Sequence, residues 1–230
     1  IIDEEQRFGV KQREILSNVS RHTLYMSATP IPRTIALGGS ISSALVGTLD
    51  ISSISQRPKS ARKVQTSIAS EELTDDIIKG VERQIKMGAK CFWIVPAIGE
   101  DIENEENEAT VIKRHSTLVS ALGKSTVTYV HSRMSIEERT EKLRIFADRT
   151  SGVDVIVGTT VLEVGIDIPW VTLLIVEGAE RFGLSQLHQL RGRVGRALPD
   201  SLHSETASLE CHFALIASTK TIQADRSKNT

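Results

Sequence analysis

The sequence predicts an α/β protein, a parallel sheet with helices on both of its faces. Short β-branched runs alternate with amphipathic segments along the chain, the order that a parallel sheet with crossover helices requires. The run "CFWIVPAI" (91–98) is apolar throughout, so it fits a central strand covered on both sides. The composition, 40% hydrophobic and 25% charged over 230 residues, is that of a globular chain. Such a length suffices for one large domain or one and a half smaller ones.

The opening "IIDEE" reads as the tail of a strand already under way, and "TLYMSAT" (23–29) as a buried strand. "ISSISQRPKSARK" (51–63) is serine-rich, then basic with a proline, and is the candidate linker. Beyond it the pattern restarts with the strand "KVQTSIA". "EELTDDIIKGVERQIKMG" is a helix with Ile77, Val81 and Ile85 on one face and Gly88 at its stop. After the central strand, "GEDIENEENEAT" (99–110) reads as an acidic loop leading into a helix at about 111–122. Further strands are expected at "TVTYVH" (126–131), "VDVIVGTT" (153–160), "TLLIVE" (172–177) and "HFALIAS" (212–218), with a helix at 135–148. "ALPDSLHSETASLE" (197–210) is a polar, acidic insertion, and no internal repeat is present.

Formal net charge is -1, from 28 Lys+Arg against 29 Asp+Glu. Global charge therefore cannot recruit a polyanion, and a nucleic-acid contact needs a local basic stripe. Neither Cys91 nor Cys211 lies in a C-x-x-C pair, which argues against a disulfide framework or a zinc site and fits a reducing compartment. No apolar run reaches the roughly 18 residues of a spanning helix, and no signal peptide is recognisable. The first residue is not Met, so a piece of a longer protein is expected.

Asp3 and Glu4 stand just beyond an apolar strand, where ligands sit in parallel sheets. Adjacent side chains there point different ways, so one carboxylate can hold hydrated Mg²⁺ while the next orients or deprotonates water. Taken alone, the pair also reads as a solvated acidic turn. "SATPIPRT" (27–34) offers the hydroxyls of Ser27 and Thr29 at a strand end stiffened by Pro30 and Pro32, or simply a rigid loop. "VGTTVLEVGIDIP" (157–169) leads from a buried strand into Thr159, Thr160, Gly165 and Asp167. Hydroxyls and free N–H groups at such a turn can grip phosphate, and Asp167 can accept from a ribose hydroxyl; a capped helix start fits equally well.

"QLHQLRGRVGR" (186–196) carries the strongest signal. Arginine keeps its charge and presents a planar fork suited to phosphate. Arg193 and Arg196 share a face if the stretch is helical. Gly192 and Gly195 cost about 1 kcal/mol each in a helix, which suggests that something comes close to the backbone. A solvated basic helix usually mixes in acids, and this stretch has none between Gln186 and Leu198. In "VHSRMSIEER" (130–139), Arg133 can reach a phosphate, while Ser135 and Glu138 form a capping box. His22, His115, His203 and His212 show no metal spacing, and Trp93 and Trp170 read as packing residues.

"DEEQ", "SAT", "TTVLEVGIDIP" and "QLHQLRGRVGR", in this order, resemble motifs II, III, V and VI of superfamily 2 helicases. Within that superfamily, "DEEQRFGV", "SATPIPRT", "HSRM" and "ERFGLSQLHQLRGRVGR" are similar to the RecG family, and "FWIVPAIGE" and "VEGAERFGLSQLHQL" tilt the likeness the same way. The resemblance implies RecA-like architecture, with residues 1–56 the back end of a first lobe, 57–218 a complete second lobe and 219–230 a truncated following segment. It implies ATP and Mg²⁺ as cofactors and branched double-stranded DNA as partner, in a monomer, off the membrane. The location implied is a bacterial-type cytoplasm or nucleoid, or an organelle if the source is eukaryotic. Asp3 would hold Mg²⁺ through water and Glu4 would be the catalytic base. Ser27 and Thr29 would couple nucleotide state to lobe movement. Gly165 and Asp167 would contact ATP, Gln189 would position water, and Arg193 and Arg196 would be arginine fingers. Arg133, Thr159 and Thr160 would grip the DNA backbone.

The sequence departs from that family in lacking any G-x-x-x-x-G-K-[ST] phosphate loop, most of the helical hairpin that follows the motor, and the N-terminal wedge. The isolated chain is therefore expected to show negligible ATPase and weak DNA binding. The insertion at 197–210 is longer than the tight turn expected there and hints at a divergent member. Two alternatives remain open at this level. One is an Mfd-like transcription-repair coupling translocase, which an upstream polymerase-binding module would favour. The other is a non-hydrolysing helicase-like scaffold that binds nucleic acid, which a degraded phosphate loop upstream would favour.

Overall fold

The computed structural model describes residues 1–3, 15, 22–26, 52, 54, 56, 62–97, 105–159, 168, 170–196 and 210–219. The chain divides into two compact units, Ile1–Arg57 and Pro58–Thr230. In the first, β1 (Ile2–Asp3) pairs in parallel with β2 (Tyr25–Met26), Ile2 opposite Tyr25 and Asp3 opposite Met26. Ile2 is buried and Asp3 exposed, as the alternation of side chains along a strand dictates.

The second unit is a six-stranded sheet. Its strands are β3 (Val64–Ser70), β4 (Lys90–Ile94), β5 (Val127–Tyr129), β6 (Val155–Gly158), β7 (Val171–Glu177) and β8 (Cys211–Ala217). They lie in the order β3-β8-β7-β4-β6-β5, and every pair is parallel. Four helices are described: α1 (Thr74–Lys86), α2 (Glu105–Leu122), α3 (Ile136–Ala147) and α4 (Leu184–Arg191). Short 3₁₀ turns at Glu71–Leu73 and Ala179–Arg181 precede α1 and α4. No described helix is long and apolar enough to cross a membrane.

Alternate residues of the central strands feed two separate cores. Cys91, Trp93, Val155, Val157, Leu173 and Ile175 pack with Ile78 and Val81 of α1 and Val111 and Leu118 of α2. Phe92, Ile94, Ile156, Leu174 and Val176 pack on the other side with Phe146 of α3 and Leu190 of α4. Helices therefore cover both faces, as predicted. Burying each large side chain removes it from water at a gain of about 1.5–3 kcal/mol, which is why β4, β6 and β7 sit centrally. Trp93 is fully buried, and Trp170 packs against the second core while its Nε1 donates to Ala147 O at 2.9 Å. Cys91 and Cys211 are free and buried, and burial pushes both thiols above the ordinary range.

Local signals predict the elements well. In α1, Val81 is buried and Ile77 and Ile85 pack against the core, joined by the fully inward Ile78; Gly88 follows at φ +91. Ser135 caps α3 by accepting from the Glu138 N–H at 3.1 Å, with the return bond from its own N–H to Glu138. The acidic segment requires a correction. Its second part, from Glu105 onwards, is helical rather than loop, so α2 starts about two turns earlier than the hydrophobic pattern indicates. Glu105, Glu106 and Glu108 occupy its first turn, where carboxylates oppose the positive end of the helix dipole.

Candidate functional site

Because all six strands run the same way, the sheet has one edge of strand starts and one of strand ends. Along the seven residues of β7 those edges are about 20 Å apart. At the end edge, β5 and β6 deliver His131, Arg133 and Thr159. Tyr129 lies opposite Val157, and the Val130 N–H donates to Val157 O at 2.8 Å. Two residues beyond that register, His131 and Thr159 are cross-strand neighbours on one face. Both are buried, and among the described residues His131 Nδ1 and Thr159 Oγ1 have no hydrogen-bond partner. His131 Nε2 is 3.7 Å from Glu108 Oε1, and its ring stacks on Tyr129 at 5.9 Å between centroids. Burial holds the imidazole below its ordinary pKa, against the pull of Glu108. Arg133 Nη1 donates to Glu108 Oε2 at 3.0 Å and lies 3.6 Å from Glu105 Oε1.

The same edge holds a cluster that sequence reasoning missed. Glu177, at the end of β7, accepts from Trp93 Nε1 and from Arg114 Nη2, the latter at 2.9 Å. The Arg114 guanidinium lies 5.6 Å from the Trp93 ring centroid. Beside this cluster is a polar cavity of about 300 Å³ bounded by Glu71, Thr74, Arg114, Glu177, Glu180 and Ser218. Glu105 and Glu108 were also missed, because a stretch rich in acids carries no sign of the guanidinium it will meet.

The arginine-rich stretch lies at the opposite edge. Helix α4 runs away from the end of β7 and stops at Arg191, with Gly192 donating to His188 O at 3.1 Å. Arg193 and Arg196 follow that stop, in a compact turn, so the condition for a shared helical face is not met. The turn closes through Arg193 N–H to Leu190 O at 2.9 Å and Val194 N–H to Arg191 O at 3.3 Å. Arg193 and Arg196 are half-buried, as is Gln189 one turn earlier, and Arg196 Nε donates to Gly192 O at 3.2 Å. The close approach expected at the glycines does occur at Gly195, but the chain that approaches is the protein's own, at Arg62 and Val64.

Asp3 ends β1 in the first unit with its side chain exposed. Glu4, Ser27, Thr29, Thr160, Gly165 and Asp167 lie outside the described residues, as do 197–209 of the insertion. The structure thus brings Arg133 to one edge with Thr159, and gathers Gln189, Arg193 and Arg196 at the other. Among the described residues, no group of three or more His, Cys, Asp or Glu is arranged to hold a metal ion.

Residues 97–198 match the helicase conserved C-terminal domain. The ATP-dependent DNA helicase RecG of Staphylococcus epidermidis strain RP62A is 38% identical over 223 residues, covering 96% of this chain and 30% of the relative. The RecG of Staphylococcus aureus strain Mu50 gives the same identity and coverage. Among solved structures, RecG bound to a three-way DNA junction aligns with a TM-score of 0.63 and 30% identity, covering 99% of this chain and 27% of that one.

The parallel sheet with helices on both faces is the RecA-like fold of the helicase C-terminal domain that residues 97–198 match. Over most of its length the chain is similar to RecG-type helicases. The chain spans 30% of the length of the curated relatives it matches.

Proposed function

We propose that this chain is the C-terminal motor portion of an ATP-dependent DNA helicase that translocates on branched double-stranded DNA, at stalled forks and Holliday junctions, in recombination and repair. The observation that carries this reading is the 38% identity to a RecG helicase along 96% of the chain. The likeness to a RecG bound to a three-way junction supports branched DNA as the substrate. Residues 1–56 are then the C-terminal part of a first RecA-like lobe, 57–218 the second lobe and 219–230 the start of the following segment. The motor works as a monomer inside the cell.

The two edges of the sheet support a division of labour. Arg193 and Arg196 act as fingers on the γ-phosphate of ATP, and Gln189 positions the attacking water. Gly165 and Asp167 contact the nucleotide from the second lobe. Glu4 takes the proton of the attacking water, and Ser27 and Thr29 relay nucleotide state to lobe movement. Asp3 fits Mg²⁺, because one exposed carboxylate at a strand end, completed by water, is how that ion is commonly held. Mg²⁺, when bound, supplies positive charge against the phosphates. At the other edge, Arg133, Thr159 and Thr160 grip the DNA backbone. The Thr159 hydroxyl, buried without a partner among the described residues, is a group that a ligand oxygen would satisfy.

Phosphoryl transfer needs positioned charge more than covalent chemistry, and an arginine finger is worth about 10³–10⁵ in rate. Arg193→Ala in the intact protein is therefore expected to remove nearly all DNA-stimulated ATP turnover while leaving DNA affinity close to the parent's. Turnover at the parent rate in that variant would remove the finger assignment.

A further inference from the structure

The turn that carries Arg193 and Arg196 is seated on the peptide leading into β3. Gly195 is the point of contact. Its φ is +69, in the left-handed region that favours glycine. Its carbonyl accepts the Arg62 N–H at 3.0 Å, and its own N–H reaches Val171 O at 3.5 Å. A Cβ in its place would stand 2.9 Å from Val64 Cγ2, 3.3 Å from Arg62 O and 3.5 Å from Cys211 Sγ. Those neighbours are the starts of three adjacent strands, β3, β8 and β7. Val194, between the two arginines, is 4% exposed and belongs to the core. The turn is thus gripped on both sides of Val194, and the places from which both guanidiniums depart are fixed by that seat.

In sequence, the seat follows shortly after the boundary between the two units. That boundary falls at Arg57–Pro58, a few residues ahead of Arg62. We infer that Arg62–Val64 is a positioning segment for the arginine turn, holding Arg193 and Arg196 in their working place through Gly195. This rests on the reading of those arginines as fingers. A displacement of the peptide at Arg62 is transmitted by a main-chain hydrogen bond to the residue between Val194 and Arg196. The effect falls on the rate of turnover rather than on capture of ATP or DNA, because neither Arg62 nor Val64 is assigned to a ligand. A misplacement of about 1 Å at a reacting centre is worth up to about a hundredfold in rate.

The experiment uses the intact protein and compares Gly195→Ala, Val64→Ala and the double variant. Steady-state ATP turnover with branched DNA, DNA affinity and thermal midpoint are measured for each. Gly195→Ala is expected to lower kcat at least about tenfold, with KM for ATP and DNA affinity within about twofold of the parent. Val64→Ala, which loosens the seat without inserting an atom, lowers kcat less and in the same direction. The double variant recovers part of the Gly195→Ala loss, because the methyl that meets the new Cβ is gone. Should Gly195→Ala fail to fold, Val64→Ala decides the matter alone. Parent-like kcat in the variants that fold overturns the inference, as does a joint fall of kcat, ATP affinity, DNA affinity and thermal midpoint. Arg193→Ala separates the two claims. If it leaves turnover intact, the finger reading fails. If it abolishes turnover while the seat variants keep the parent kcat, only the positioning segment is lost.

Discussion

A guanidinium carries five donors, and in Arg133 Nη1 already donates to Glu108 of α2 and stands within ion-pair reach of Glu105. The side chain is 43% exposed, so this is a surface pair whose worth is small and sensitive to salt. A DNA phosphate reaching Arg133 has to displace those carboxylates. Glu105→Gln with Glu108→Gln in the intact protein should therefore tighten DNA binding at low salt by up to about fivefold, the equivalent of one exposed ion pair. Glu106→Gln, exposed on the same turn and equal in charge per site, should give no comparable gain. Fluorescence anisotropy over a salt series checks both. Equal affinity for the double variant and the parent would mean that Arg133 is not a group that DNA meets.

Among the helices, α3 shows most directly how local sequence sets a boundary. Ser135 and Glu138 each satisfy the other's otherwise orphaned backbone N–H, so the first turn of the helix is defined by contacts local in the sequence. The opposite end of α3 packs Phe146 into the core against Phe92, with ring centroids 5.4 Å apart. Ser135→Ala is expected to cost about 1 kcal/mol, read as a lowered urea midpoint at unchanged slope. A midpoint equal to the parent's would show that packing at Phe146, rather than the cap, holds the first turn. Helix α4 differs in kind. It spans eight residues with a short apolar contribution, and its C-terminal turn is held by contacts with β3, β7 and β8.

Acid stability is a property of the whole molecule, because its titrating groups sit on several elements. His115 of α2 and His131 after β5 are both held below the ordinary imidazole value of 6.5, chiefly by burial. Lys142 adds to the depression at both, and Arg133 at His131, while Glu108 and Glu138 oppose it at His131. A folded-state value below the unfolded one means that the unfolded chain binds more protons as the pH falls past about 6.5, so stability declines from there downwards. The carboxylates of Glu82, Glu141 and Asp148, held low by Lys86, Arg144 and Thr150, add a further decline nearer pH 4. The urea midpoint should thus be steady from about pH 8 to 7 and lower at about pH 5.5, and His131→Gln should flatten part of that fall. A profile level across that range would contradict the lowered pKa of these rings.

Much of the second unit was legible because its information is local. A continuous apolar run gave the central strand β4, three-four spacing gave the inward face of α1, and serine with glutamate gave the start of α3. The likeness to helicases was legible for a similar reason, since motif residues cluster within short stretches. What tertiary structure alone decided involves residues far apart in the chain. It ended α4 before the two arginines, placed Arg62 and Val64 against Gly195, paired Arg133 with α2, and set the arginine turn and the Arg133–Thr159 group at opposite edges of one sheet. Periodicity reports which side chains leave water, and it is silent about which distant backbone they then meet.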